Sequence, residues 1–146
     1  MPKVASVAAI IVGALMMVAG VVTWVVVSTT LSEQRIVVSD DAPCLAGDEV
    51  NGPFSAYCQA EIINTHTLAA TDGKTYAQLD QEDPLRETAM TSAFLQSSLF
   101  TSVVAFGVAA LAFVLGAVQL VIGLALRPQE AGARAPATGT TPVPAT

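Results

Sequence analysis

The sequence has few histidines, cysteines and basic residues, and it lacks the common catalytic motifs. It has one histidine, two cysteines and six lysines and arginines in 146 residues. A single histidine, His66, cannot supply the two histidines that a non-haem iron site requires. Serine nucleophile elbows, phosphate-binding glycine loops and the histidine pairs of zinc proteases are also missing. The sequence therefore predicts a non-enzymatic chain with no catalytic residue, no metal ligand and no cofactor.

Charged residues are absent from two long stretches. Residues 4–27 and 99–126 contain no Asp, Glu, Lys or Arg, and each exceeds the roughly 20 residues that a helix needs to cross about 30 Å of hydrocarbon. The apolar region of a cleavable signal peptide is only about 7–15 residues long, so the first stretch predicts a retained anchor. We expect a mainly α protein built as a two-span transmembrane helical hairpin.

The two spans divide the chain into four parts. Residues 1–27 form a cytoplasmic end and the first transmembrane helix, and residues 28–98 form a small acidic extracytoplasmic domain that includes the start of the second helix. Residues 99–126 form the second transmembrane helix. Residues 127–146 are rich in Pro, Ala, Thr and Gly, and this composition predicts a disordered cytoplasmic tail.

Charge is distributed unevenly between these parts. Residues 28–98 hold eleven acidic and three basic residues, a net charge of −8, which repels nucleic acid and anionic headgroups. This acid either solvates an exposed face or binds a cation or a basic ligand. Lys3, Arg127 and Arg134 flank the other ends of the spans, as basic residues do on the cytoplasmic side. We therefore expect a plasma-membrane protein with both termini cytoplasmic, residues 28–98 outside, the lipid bilayer as a partner and no nucleic acid.

Both cysteines, Cys44 and Cys58, fall within the acidic segment. An even pair outside the cell forms a disulfide, and closing a loop of about 15 residues contributes ~3 kcal/mol in the chain-entropy model. A thiol-exchange enzyme more often carries Cys-x-x-Cys, and this spacing is absent. The pair predicts a structural staple, which is also an independent indication that the segment lies outside.

Small residues recur at alternating steps of three and four in both apolar stretches. Close backbone approach over such residues is a usual source of helix association in lipid. These residues therefore predict helix packing, either between the two spans or with a partner. Gln119 either makes a contact between helices or reaches water at the cytoplasmic interface. The first series is Ser6, Ala9, Gly13, Met16, Gly20 and Thr23, and the second is Ser102, Ala105, Ala109, Ala112, Gly116, Gln119 and Gly123.

Turn and capping signals predict two helix starts between the spans. The sequence Asn51-Gly52-Pro53 places a proline at a first helical position, and apolar spacing predicts a helix over 53–68. Asp83-Pro84 predicts the start of a helix of about 43 residues that contains the second span and projects outward. Near the outer end of the first span, Trp24 is expected to anchor the helix at the membrane interface. Four residues of the projecting stem are expected to pack against the outer loop: Ala93, Phe94, Leu95 and Leu99.

Two polar features of the acidic segment have both a functional and a structural interpretation. His66 is either a proton carrier or single metal ligand, or an ordinary surface residue. Glu61 lies five residues before it, which is not a spacing that places two ligands on one helix face. Residues 80–83 are acidic but lack the alternating ligands and central glycine of a calcium loop, which favours capping of the following helix.

Four segments resemble a family of small actinobacterial two-span membrane proteins. They are APCLAG (42–47), AYCQAEIINTH (56–66), TDGKTY (71–76) and SLFTSVVAFG (98–107), and the resemblance covers about residues 1–127. It implies an actinobacterial envelope setting. Members of this family are often labelled aromatic ring-opening dioxygenases, which implies a subunit of such an enzyme, although one histidine gives this chain no iron triad of its own.

These observations lead to three functional hypotheses. The first is a non-enzymatic accessory or assembly subunit of the membrane, whose partner is another membrane protein or a second copy. The second is an extracytoplasmic sensor or binding module that recognises a cation or a basic ligand. The third is the dioxygenase subunit that the resemblance implies.

Overall fold

A computed structural model describes residues 2–127 and is mainly helical. The helices are α1 (Pro2–Glu33), α2 (Pro53–Ala70) and α3 (Arg86–Ala125), with a short 3-10 turn at Tyr76–Gln78. Within the described residues there is no strand, only an isolated antiparallel bridge between Val37 and Glu49. Residues 128–146, which make up nearly all of the predicted tail, lie outside the described residues.

Helices α1 and α3 are both long and apolar enough to cross a membrane. This confirms the two predicted apolar helices. Helix α1 continues past the end of its apolar stretch to Glu33. Thr29 remains compatible with the helix because its hydroxyl donates back to the carbonyls of Val25 and Val26, both at 3.0 Å.

Helix α3 has 40 residues, a length of about 60 Å. It begins at Arg86, slightly later than the Asp83-Pro84 start predicted from the sequence. The Asp83 carboxylate accepts a hydrogen bond from Leu85 N at 2.8 Å, and its carbonyl accepts one from Arg86 N at 3.0 Å. Asp83 therefore closes a turn that leads into the helix, and the regular helix follows that turn.

Helices α1 and α3 run antiparallel and contact each other along most of their length. Ser6 lies beside Gly123, Gly13 beside Gly116 and Gly20 beside Ala109. Because these pairs keep a constant register, the first half of α1 faces the last part of α3. The end of α1 reaches the outer half of α3, where Leu31 and Leu99 belong to one buried cluster.

The segment between the two apolar stretches, residues 28–98, packs around the point where α1 ends, and we call it the outer domain. Its core is completed by Leu99 and Phe106 of the second apolar stretch. The cluster of apolar side chains comes from α1, α2, α3 and the 34–52 loop: Leu31, Val38, Val50, Ala56, Cys58, Ala60, Leu99 and Phe106. The loop folds back on itself because Val38 N donates to Asp48 O and Val50 N donates to Ile36 O, each at 2.9 Å. Helix α2 then runs along the outer half of α3.

The expected packing of the stem is correct for one residue and wrong for two. Leu99 is buried in the core, but Phe94 is 74% exposed and Leu95 is 47% exposed. Helix α2 lies on the face of α3 that carries Ala89 and Leu99, both buried. Phe94 and Leu95 fall on other faces of the helix, whereas Ala93 is half-buried.

Candidate functional site

The closest approach of α1 and α3 occurs at two facing glycines. A β-carbon at Gly13 would lie 2.6 Å from Gly116 O and 2.7 Å from Leu120 N. A β-carbon at Gly116 would lie 2.6 Å from Gly13 O and 2.8 Å from Met17 N. These atoms belong to the backbone and cannot rotate away, so no side chain fits at either position.

The same close approach continues in both directions from this point. A β-carbon at Gly20 would lie 2.6 Å from Ala109 O, and one at Gly123 would lie 3.0 Å from Ser6 O. The buried Ser6 hydroxyl also donates to Gly123 O at 2.7 Å. We call this contact, from Ser6 and Gly123 to Gly20 and Ala109, the seam. It joins the two helices within one chain.

The remaining predicted packing residues are distributed along the seam with one exception. Ala9, Ala105, Ala112, Met16 and Ser102 are half-buried beside it. Thr23 is exposed, and Trp24 takes its place. A repeat of three and four averages 3.5 residues, whereas a straight helix turns every 3.6 residues, so the contact face drifts along α1.

Two predicted residues with polar groups contact the seam through their apolar parts. The β-carbon of Gln119 lies 3.2 Å from the position that a β-carbon of Gly13 would occupy, so its stem packs between the helices. Trp24 stacks edge-on against the buried ring of Phe106, with ring centroids 4.7 Å apart. Among the described residues, no buried side-chain nitrogen or oxygen lacks a partner.

A groove of about 330 Å³ runs beside the outer part of the seam. It exists because Gly20 and Ala109 have little or no side chain. Its walls expose almost no polar surface, so it suits a hydrocarbon chain and offers no group that would orient a polar substrate. The lining residues are Gly20, Val21, Trp24, Val25, Ala109, Ala110, Phe113 and Val114.

A disulfide fixes the 34–52 loop on α2. Cys44 and Cys58 are joined with an S–S distance of 2.04 Å and Cα atoms 5.8 Å apart, which confirms the predicted staple. The next residue of α2, Gln59, accepts a hydrogen bond from Ser39 N at 3.0 Å through its side-chain oxygen. The loop is therefore held at two points by adjacent residues of one helix.

His66 contacts the same loop at the edge of the domain. Its Nε2 lies 2.6 Å from a carboxylate oxygen of Asp41, and both side chains are exposed. The hydrogen bond from His66 lowers the pKa of Asp41 below its ordinary value. The contact between His66 and Asp41 joins α2 to the loop. Residues 2–127 contain no cluster of three or more histidine, cysteine or acidic side chains able to hold a metal ion.

Helix α3 has a third face that contacts neither α1 nor α2. Along this face, ten exposed residues without charge follow one another at alternating steps of four and three. We call them the free face. They are Met90, Phe94, Ser97, Thr101, Val104, Val108, Leu111, Leu115, Val118 and Ile122.

The sequence does not reveal the free face, because most of this face lies within the second apolar stretch. Residues 104–122 are apolar on nearly every face of the helix, so a further apolar stripe there does not stand out. The stripe becomes informative at Met90 and Phe94, because these exposed apolar side chains lie beyond the apolar stretch. The 4,3 spacing from Met90 to Thr101 was the available clue.

No protein-family model, curated protein or solved structure matches the chain. The seam, the outer domain with its disulfide and the free face are the structural features that bear on the function of the chain.

Proposed function

We propose that this chain is a non-enzymatic plasma-membrane protein that spans the bilayer twice and acts as an assembly subunit, associating with a second copy of itself through the free face of α3. Both termini are cytoplasmic in this proposal. The outer domain is extracytoplasmic. The seam holds each hairpin together, and the free face joins two hairpins.

The exposure of the two long helices supports a membrane setting. In the most apolar windows of α1 and α3, only 11% and 17% of residues are buried. A core helix of a soluble protein is covered by its neighbours, and soluble monomers rarely expose continuous apolar surface on this scale. Lipid is the solvent that suits such surfaces.

Charge and redox chemistry support the orientation. Lys3 and Arg127 lie at the ends of α1 and α3 remote from the acidic segment, where the positive-inside tendency places the cytoplasm. The Cys44–Cys58 disulfide requires an oxidising compartment. Both observations favour an outer domain on the extracytoplasmic side.

The exposure of Phe94 is the observation that carries the assembly role. The seam already uses Gly13, Gly20, Gly116 and Gly123 within one chain, so these close-packing positions are not available to a partner. Phe94 is 74% exposed on the outer half of α3, where water makes such exposure unfavourable by roughly 1.5–3 kcal/mol relative to burial. A partner that covers Phe94 removes this cost.

The spacing of the free face favours a second copy as that partner. Steps of four and three are the a and d pattern of a left-handed coiled coil. Two copies in one membrane have the same orientation, so their α3 helices meet in parallel with identical residues facing each other. The face carries no charge to repel its counterpart. The hydroxyl of Thr101 is satisfied within α3 by Ser97 O at 2.7 Å.

Substitution of Phe94 tests the proposal. We expect Phe94→Asp to weaken the dimer by roughly tenfold to a hundredfold, because it removes a central aromatic contact and places two carboxylates face to face. Dimerisation is measured by energy transfer between labelled copies diluted in phosphatidylcholine vesicles. An intact disulfide, shown by the absence of free thiol, verifies folding.

Leu95→Asp is the matched control. Leu95 is an exposed apolar neighbour in the same helix, but it lies outside the free face, so the dimer should persist. A wild-type protein that stays monomeric, or equal loss in both variants, contradicts self-association. Capture of a different membrane protein that depends on Phe94 would contradict the second copy as partner and support an accessory subunit.

A further inference from the structure

A group of aromatic residues is exposed at the end of the outer domain that adjoins the two apolar stretches. Phe54, in the first turn of α2, is 78% exposed, and Tyr57 and Phe100 are also exposed. The rings of Tyr57 and Phe100 meet edge to face with centroids 6.0 Å apart. Phe54 lies three residues before Tyr57, which places both on the same side of α2.

The height of this group is fixed by its connections to the two spans. The hydroxyl of Ser28, the first residue after the apolar stretch of α1, donates to Asn51 O at 2.7 Å. This bond holds the start of α2 level with the outer end of that stretch. Phe100 follows Leu99, the first residue of the other apolar stretch. The aromatic group therefore lies where both spans leave the hydrocarbon.

The direction of α2 places Phe54 deepest of the three. Helix α2 runs antiparallel to the outer half of α3, because Tyr57 contacts Phe100 whereas Leu68 lies beside Ala89. One step of three residues towards the start of α2 brings Phe54 about 4.5 Å nearer to the hydrocarbon than Tyr57. Phe54 thus continues the apolar surface of the spans.

We propose that Phe54, Tyr57 and Phe100 form a lipid-docking surface that inserts into the outer interface of the bilayer and holds the stapled domain against the membrane. The occupant of this surface is the boundary between headgroups and acyl chains, where aromatic side chains are favoured. This inference rests on the proposed membrane topology.

The charges around the surface indicate how it binds. Asp48 and Glu49 line the groove beside Phe54, so anionic headgroups are repelled and the attraction is apolar. The polar sides of the 34–52 loop and α2 then remain in water. Docking should accordingly occur on zwitterionic phosphatidylcholine and change little with salt.

Tryptophan quenching in vesicles tests the depth of Phe54. The full-length chain is reconstituted in ordinary phosphatidylcholine and in phosphatidylcholine brominated on its acyl chains. The wild type reports on Trp24, and the double variants Trp24→Phe/Phe54→Trp and Trp24→Phe/Phe94→Trp report on the two new positions. Phe94 is the control because it lies about 9 Å beyond Phe100 along α3.

We expect brominated lipid to quench Trp24 and the tryptophan at 54, and to leave the tryptophan at 94 bright. If Trp24 is quenched but position 54 is not, the docking surface is overturned while the membrane topology stands. If Trp24 itself is not quenched, the proposed topology fails. Equal quenching at 54 and 94 also overturns the inference. Phe54→Trp in a background that retains Trp24 should add a quenched component, which covers the case in which Trp24→Phe fails to fold.

Discussion

The inner half of α3 packs on α1 by close backbone approach at glycines, whereas its outer half packs on α2 and the 34–52 loop through buried apolar side chains. In the seam, Gly13 and Gly116 bring backbone to backbone. In the outer domain, Val38, Val50 and Leu99 fill a core that a disulfide closes. The difference follows from the proposed solvents. Lipid gives two apolar helices no hydrophobic reason to associate, so close contact must supply the attraction, whereas water drives apolar side chains into a core.

The substitution with the largest expected effect places a side chain in the seam between α1 and α3. Gly116→Leu puts atoms where Gly13 O and Met17 N already lie, so the helices must separate or shift register. Overpacking a rigid site costs about 3 kcal/mol, and occasionally more. We expect α1 and α3 of this variant to separate at a lower mole fraction of sodium dodecyl sulfate than those of the wild type. Separation is measured in mixed micelles by energy transfer between the ends of the two helices.

Gly107→Leu provides the matched control for this change. Gly107 lies in the same helix, but a β-carbon there meets nothing within 4 Å. Leucine also favours the helix over glycine by a few tenths to about 1 kcal/mol. The Gly107 variant should therefore separate at the wild-type detergent fraction or above it. Equal weakening by both substitutions would show that bulk in lipid, and not contact at the seam, sets the effect.

The second test breaks the outer domain and spares the seam. Changing Cys44 and Cys58 together to serine removes a cross-link between residues 14 apart in sequence, which should destabilise the domain by up to about 3 kcal/mol. Amide hydrogen exchange should speed up in the 34–52 loop and in α2. Exchange in the seam around Gly13 and Gly116 should not change.

A uniform loss of protection in the disulfide variant would contradict this prediction. If protection falls equally in the seam and in the outer domain, the two regions unfold as one unit and the comparison between them is wrong. Reduction of the wild type is the control for side effects of serine, because it opens the same disulfide without changing the sequence. Both treatments should give the same pattern.

The two long apolar helices and the disulfide could be predicted from the sequence because each depends on a local or compositional signal. The absence of charge over residues 4–27 and 99–126 predicted two long apolar helices. Two cysteines in one segment left a single possible pairing. The three-and-four repeat also selected Gly13 and Gly116, which the structure brings together, although the repeat alone did not say whether the contact lies within or between chains.

What the sequence could not predict depends on which face of a helix is covered. Phe94 and Leu99 are both apolar residues of one stem, and only the position of α2 buries Leu99 and leaves Phe94 exposed. Similarly, Phe54 fits the apolar spacing of α2 as well as Cys58 does, but the loop covers Cys58 alone. Tertiary packing determines which of these apolar residues is buried, and the periodicity of the sequence does not encode that packing.

The prediction with the smallest expected effect concerns the contact between Asp41 and His66 at the edge of the outer domain. The pKa of Asp41 is lowered in the folded chain, chiefly by its hydrogen bond from His66. The stabilisation it brings is therefore present above the ordinary aspartate pKa and is lost as the pH falls through the lowered value. As the pH falls through this value, protection of the amides at the end of α2, expressed relative to their intrinsic exchange rate at each pH, should decrease in the wild type and much less in Asp41→Asn, which cannot titrate. Asp40→Asn, the neighbouring change, should keep the wild-type acid response because it leaves the His66 contact in place. An Asp41→Asn variant that responds to acid as the wild type does would mean that the contact with His66 does not hold the loop, and that the disulfide and Gln59 alone attach it to α2.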